Sequence, residues 1–291
     1  MQISWARTPL ALRVDDPALS QSKKLRPRAP SPILRPLLVS LQATLFALIF
    51  FHLTLLPCLA LRDEEIQKFQ TLLIDRPAGE KIAFWAEKFI GVPYDRDPLG
   101  EYVSRATIVL DERVDCMYLT FRTVELALSR TPEEAVRVAL AKRFHSKGVL
   151  KEGRVVNYDD RFQYGEDMIE SGKWGKEITS AVGRVIRIRG TRGKDFVDVL
   201  PPDELKRAVE SLRKGDLLFF AKAPEKREVD EIIGHIGIVE VAEVQGSPGS
   251  KEIFLIHASG TKRKGGAVKK VLLKDYLSRM PFVGVKVTRF E

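Results

Sequence analysis

The hydrophobic pattern changes character partway along the chain. From residue 62 to about 145, apolar residues recur at helical spacing, as in "RDEEIQKFQTLLI" and "GEKIAFWAEKFI", the second stopping at "GVPY". Asp115 then stands before "CMYLTFRTVELALS", where Met117, Thr120, Val124 and Leu128 follow one helical stripe and Asp115 is placed to cap the helix. In "TPEEAVRVALAKRF", Thr131 as cap, Pro132 in the first turn and Glu134 three residues after the cap predict a capping box. Later the chain gives one further predicted helix, from about Pro202 to Arg213. A turn at Gly215 and Asp216 then leads into a strand, and "HIGIVEVAEV", "EIFLIHA" and "FVGVKVTRF" follow as strands. "AVKKVLLKDYLSRM" predicts a strand and a short helix before the last of these.

Helices first and consecutive antiparallel strands afterwards define an α+β domain over residues 62–291, with no internal repeat or low-complexity tract. Residues 1–61 differ. A basic stretch ending at Arg35 precedes an uncharged apolar run from Leu37 to Leu61, the order of a signal sequence or membrane anchor. "CLA" before Leu61 would suit a signal peptidase, and "LLPC" resembles a lipoprotein cleavage box, so cleavage, anchoring and lipidation all stay open. The expected location is therefore exported: periplasmic or cell-envelope, with membrane attachment through residues 37–61 as one route.

Charge adds little once divided by position. Of the net +9, seven basic and two acidic residues fall in residues 1–60, leaving 41 basic and 37 acidic residues for the rest. Such a surface requires no nucleic-acid partner, although it would suit approach to an anionic cell surface.

Cysteine is scarce: Cys58 lies in the apolar leader, and Cys116 directly follows the predicted cap Asp115. An exported domain with one cysteine has no intrachain partner for it, so Cys116 is not a disulfide staple. At a helix N-terminus the end charge and free N–H groups favour a thiolate, which predicts a thiol pKa below its ordinary value. His235 begins one predicted strand and His257 ends the next. A hairpin centred on Gly246 would set the two opposite each other on one face. His145, at the end of a basic helix, is expected at the surface.

A cysteine, a base and a residue that orients the base form the cysteine version of the hydrolase triad. The order, with cysteine on an early helix and both histidines on a later sheet, is that of papain-like folds. Zinc binding by the same three residues would need a fourth ligand and close-spaced ligand pairs, neither of which the sequence offers. Half-buried sheet histidines and a buried small cysteine are the plain structural alternative.

Together "VDCMYL", "RKGDLLFF", "GHIGIV" and "IHASG" resemble the NlpC-type papain-like cell-wall peptidases and amidases. "FIGVPYDRDPLGEY" and "NYDDRFQYGEDMI" resemble its N-acetylmuramoyl-L-alanine-amidase-like branch, and the resemblance spans roughly residues 80–291. It implies Cys116 as nucleophile, His235 as general base and later acid, and His257 as the residue fixing the imidazole tautomer. Tyr94, Asp115, Arg161, Tyr164 and Ser259 are implied substrate contacts, although capping already accounts for Asp115 and packing on Trp85 could account for Tyr94. The implied substrate is peptidoglycan or a muropeptide, cut at the amide between N-acetylmuramic acid and L-alanine, with neither metal nor cofactor. The chain departs from the branch at Gln163, where a histidine is commoner, and at "PLGE", where a Thr-Leu-Glu element is commoner. A γ-D-glutamyl stem-peptide endopeptidase of the same fold, or a tethered wall-binding protein without turnover, are the rival expectations.

Overall fold

A computed structural model describes residues 61–244 and 249–291. The leader and its apolar segment, residues 37–61, lie outside the described residues except for Leu61, as do Cys58 and the hairpin centre Gly246. Among the described residues no helix is long and apolar enough to cross a membrane.

Helices α1 (Asp63–Leu72), α2 (Ala78–Lys88), α3 (Glu101–Ser104), α4 (Cys116–Ala127) and α5 (Pro132–Lys142) come first. After them come β1 (Leu150–Lys151), β2 (Arg154–Val155), α6 (Gly165–Glu170), β3 (Lys176–Glu177), α7 (Thr179–Val182), β4 (Ile186–Arg189), β5 (Phe196–Val199) and α8 (Pro202–Arg207). The chain closes with β6 (Leu217–Ala221), β7 (Ile233–Glu243), β8 (Lys251–Thr261), β9 (Gly265–Leu272), α9 (Leu273–Arg279) and β10 (Gly284–Arg289). Six strands form one antiparallel sheet in the order β3-β10-β6-β7-β8-β9, while β1-β2 and β4-β5 are separate hairpins.

This sheet explains why "LLFFA" is apolar without alternation. Leu217, Phe219 and Ala221 join Ile236, Ile238 and Ile256 in a core shared with Ile66 of α1, Ile82 and Trp85 of α2, Leu119 of α4 and Ala139 of α5. Leu218 and Phe220 point the other way, joining Val239, Leu255, Val285 and Val287 against Leu205 of α8 and Leu273 and Leu277 of α9. A strand covered on both faces has no polar side to display. Both layers are therefore built by the same strands.

The caps form where the sequence places them. Asp115 Oδ1 accepts from the Tyr118 N–H at 2.8 Å, and Thr131 Oγ1 accepts from the Glu134 N–H at 3.1 Å. The return bond of the expected capping box goes one residue further out, from the Arg130 N–H to Glu134 Oε2 at 2.7 Å.

Other details differ from the sequence expectation. The helix expected from Pro202 to Arg213 ends at Arg207 and continues as a single 3-10 turn, Val209–Ser211. One tertiary and one local partner take over there: the Ser211 carbonyl accepts from Arg289 Nη2 at 3.0 Å, and the Arg213 N–H donates to Asp216 Oδ2, three residues on, at 2.8 Å. The β7–β8 ladder pairs Ile238 with Ile256, which centres the hairpin one residue later than Gly246. Continued by one residue, it sets His257 opposite Gly237. The two histidines are therefore diagonal neighbours on a common face, not directly opposed partners.

Candidate active site

Cys116 is the first residue of α4, half-buried, and its position is fixed from behind. The Tyr118 hydroxyl donates to Asp111 Oδ1 at 2.8 Å and accepts from the Leu110 N–H at 2.6 Å, while Arg122 Nε reaches both Asp111 oxygens at 3.0 Å. These bonds tie the segment before the helix to its first two turns. The cap at Asp115 orients the free N–H groups around the sulfur.

The histidine wall is built on a bulge. Phe220 pairs with His235 but Ala221 pairs with Ile233, so Gly234 is the extra residue, and the bulge re-aims the side chains beyond it. Buried Glu166, on α6, holds the strand entry by accepting the N–H groups of Ile232 at 3.0 Å and Ile233 at 3.1 Å. Gly165 is needed beside it, because a Cβ there would come within 2.6 Å of the Ile233 side chain.

His235 Nε2 and His257 Nδ1 are 2.8 Å apart. One of these nitrogens must carry the proton. When His235 Nε2 donates, His235 Nδ1 keeps a free lone pair and can act as a base, and His257 is protonated on Nε2. The rings are packed as well as bonded: Phe282 stacks on His235 with planes 8° apart and centroids 6.2 Å apart, and Tyr276 lies 4.9 Å from the His257 centroid. No local sequence motif marks Tyr276 or Phe282, which come from α9 and the segment after it. Only the fold brings them here.

Electrostatics reverse one expectation. Burial pushes the Cys116 thiol up to about 12, and the Asp115 carboxylate adds to this. The N–H groups of Ile236 and of Cys116 itself, with the Lys262 ammonium, pull the other way and are outweighed. Burial lowers His235 to about 3, with His257 adding to the shift, and lowers His257 to about 4, with Lys269 adding. The helix end thus fails to make a thiolate in this conformation, because desolvation of a charged sulfur costs more than the N–H groups return. At neutral pH the thiol and both imidazoles are uncharged. Alkylation of Cys116 by iodoacetamide is expected to climb about tenfold per pH unit from pH 7 to 10. A plateau near neutrality would instead reveal a preformed thiolate.

The remaining sequence candidates fall into two groups. Tyr94 is half-buried at the cleft, its N–H bonded to the Gly266 carbonyl at 2.9 Å. Its hydroxyl pKa is raised by burial, with further contributions from Cys116, Asp115 and Asp95. Trp85 pairs with Phe69 and Phe84, and the Tyr94 ring instead lies over Gly260, where a Cβ would meet it at 2.6 Å. Asp115 is engaged twice, capping α4 and facing Lys262 Nζ at 3.4 Å. Ser259 is half-buried on β8, two residues beyond His257 and opposite Ala267.

Arg161 and Tyr164 stand in other company. Arg161 Nη1 donates to the Tyr158 carbonyl at 3.3 Å. Tyr164 lies under the Arg192 guanidinium at 3.9 Å, on the β4–β5 hairpin side. His145, expected at the surface, is exposed there, with its ring edge-on to Phe162 at 4.6 Å between centroids. The rest of its segment is held at Asp160, which accepts from the Ser146 N–H at 3.0 Å. Among the described residues, no three His, Cys, Asp or Glu side chains are grouped to hold a metal ion.

A capped helix end carrying a cysteine, packed on an antiparallel sheet carrying a bonded histidine pair, defines a mixed α+β protein of amidase-like fold. An N-acetylmuramoyl-L-alanine amidase from Bacteroides uniformis superposes with a TM-score of 0.55 at 20% identity, covering 74% of this chain and 99% of that one. A Legionella pneumophila protein described by the family model DUF1460 superposes at 0.56 with 16% identity, covering 77% and 93%. A Bacteroides fragilis protein carrying a provisional xylanase name gives 0.51 at 17% identity, covering 72% and 100%. No family model matches the chain, and no curated protein does. Likeness at such identity establishes the fold, and the differing names show that a fold alone does not choose a substrate.

Proposed function

We propose that this protein is an exported cysteine amidase that cleaves the amide joining N-acetylmuramic acid to L-alanine in peptidoglycan or its muropeptide fragments. The observation that supports it most is the His235–His257 bond of 2.8 Å, on a sheet packed against the helix whose first residue is Cys116. The sequence motifs add the substrate, and the basic leader with its apolar segment adds export.

In this reading the neutral pair is the starting state. The sulfur attacks the amide carbonyl as its proton passes to His235 Nδ1, and His257 holds the imidazolium by accepting at Nδ1 from His235 Nε2. The Cys116 N–H, free at the helix start, donates to the oxyanion that forms. His235 then returns the proton to the leaving amine, the C–N bond breaks, and the acyl group remains on sulfur. Water, deprotonated by the same imidazole, releases muramic acid and restores the thiol.

Digestion of purified muropeptides, with products weighed by mass spectrometry, tests the bond. The expected products are an intact stem peptide with a free L-alanine amine and a peptide-free muramic acid. Products that keep muramic acid joined to L-alanyl-D-glutamate would identify the γ-D-glutamyl endopeptidase instead. Intact muropeptides after long incubation would indicate a wall-binding protein.

A further inference from the structure

The turn between β8 and β9 places one ammonium beside the nucleophile. Lys262 directly follows the end of β8, and its Nζ lies 3.4 Å from Asp115 Oδ2 and 5.7 Å from the centre of the Tyr94 ring. Three bonds pin its support. Arg96 Nη2 donates to the Arg263 carbonyl at 2.9 Å, the Lys264 N–H donates to Thr261 Oγ1 at 3.0 Å, and the Tyr94 N–H donates to the Gly266 carbonyl at 2.9 Å. A flexible stem on a rigid turn keeps its charge near one point.

That charge is only partly spent. Asp115 Oδ1 belongs to the helix cap, and 3.4 Å to Oδ2 exceeds the 2.7–2.9 Å typical of a strong charge-assisted bond. The nearby Asp95 carboxylate is occupied elsewhere, accepting the N–H groups of Asp97 at 2.9 Å and Glu101 at 2.6 Å. The Lys262 side chain is 34% exposed, whereas that of Asp115 is 14% exposed, so the cation is the member of the pair that meets an incoming molecule. An incoming anion can take this ammonium from Asp115 without dismantling the cap.

We infer that Lys262 is a substrate-binding residue, holding a carboxylate of the bound molecule beside the Cys116 sulfur. Its identity as a stem-peptide carboxylate rests on the amidase reading above. The presence of a carboxylate subsite does not.

Two alkylating agents of similar size separate these claims. Iodoacetate and iodoacetamide both react by displacement of iodide by sulfur, with the thiol proton passing to solvent, and only the first carries a carboxylate. The ratio of their rates at Cys116 reports a cation at the site without needing any hydrolysis. Lys262→Gln is expected to lower the iodoacetate-to-iodoacetamide ratio about fivefold, the size of one weakly screened charge contact. Lys262→Arg should largely retain the ratio, Lys264→Gln should leave it alone, and salt should bring the wild-type value toward that of Lys262→Gln. Thermal melts within a few degrees of wild type would show that the fold survives. An unchanged ratio in folded Lys262→Gln overturns the subsite. With a hydrolysable muramyl-peptide, the same variant should raise KM about tenfold for the free carboxylate and leave its amidated analogue unaffected. Equal effects on both would make Lys262 merely structural, whereas a charge-dependent alkylation ratio without hydrolysis of any muramyl-peptide would keep the subsite and refute the amidase.

Discussion

Cys116→Ala is expected to remove amide hydrolysis by at least about 10⁴-fold while leaving the domain folded, and His235→Ala to do nearly the same. In the proposed mechanism losses of that size arise because the two act as a unit: without sulfur no acyl intermediate would form, and without the imidazole neither proton transfer would have a carrier. Removing the sulfur leaves the hydrogen bonds around it intact. Asp115 still caps α4 through Tyr118, Asp111 still holds Tyr118 and Arg122, and His235 still meets His257. The double variant should therefore be little worse than either single one. Muropeptide release measured by mass spectrometry, alongside circular dichroism, reads both halves. Residual turnover in Cys116→Ala above a few per cent would assign the chemistry to another group.

The largest effect on stability is expected far from the cleft. Arg143 and Glu125, 1% and 0% exposed, join α5 to α4 through two bonds of 2.6 Å. The guanidinium lies among the rings of Tyr118 at 5.0 Å, Phe121 at 5.4 Å and Tyr102 at 6.0 Å. Its Nη1 already lacks a hydrogen-bond partner among the described residues. Glu125→Ala would leave the whole charge in that core with aromatic faces alone, at a cost of about 3–5 kcal/mol. Replacing both residues by apolar side chains of similar volume should cost far less, since neither charge then has to leave water. Urea denaturation of the single and double variants gives the comparison. A single variant within about 1 kcal/mol of wild type would mean that water reaches Arg143.

Both expectations draw on residues that differ greatly in how visible they are in the sequence. Asp115 before an apolar stripe, and Thr131 with Pro132 and Glu134, announce helix starts because capping is a contact within three residues. Periodicity likewise gives α1, α2, α4, α5 and the strands from β6 onward, since burial of one face imposes its period on the chain. The hairpins β1–β2 and β4–β5 and the edge strand β3 escape this logic. Their side chains are largely exposed, so no buried face imposes its period on them, and the alternation in Ile186–Arg189 marks no side of a core.

Read alone, the sequence commits the chain to a set of local choices: an α+β order, a cysteine on a capped helix start, and two histidines on one face of neighbouring strands. Packing settles the rest. The one-residue hairpin offset and the bulge at Gly234, held by Glu166 from a helix 66 residues earlier, make the histidines diagonal neighbours that bond ring to ring. Tyr276, Phe282 and Lys262 surround the site only after the sheet closes. The ionisation of Cys116 was likewise undecidable from its neighbours in the chain. The helix end that favours a thiolate is local, but the desolvation that opposes it is the summed exclusion of water by every element packed around the sulfur.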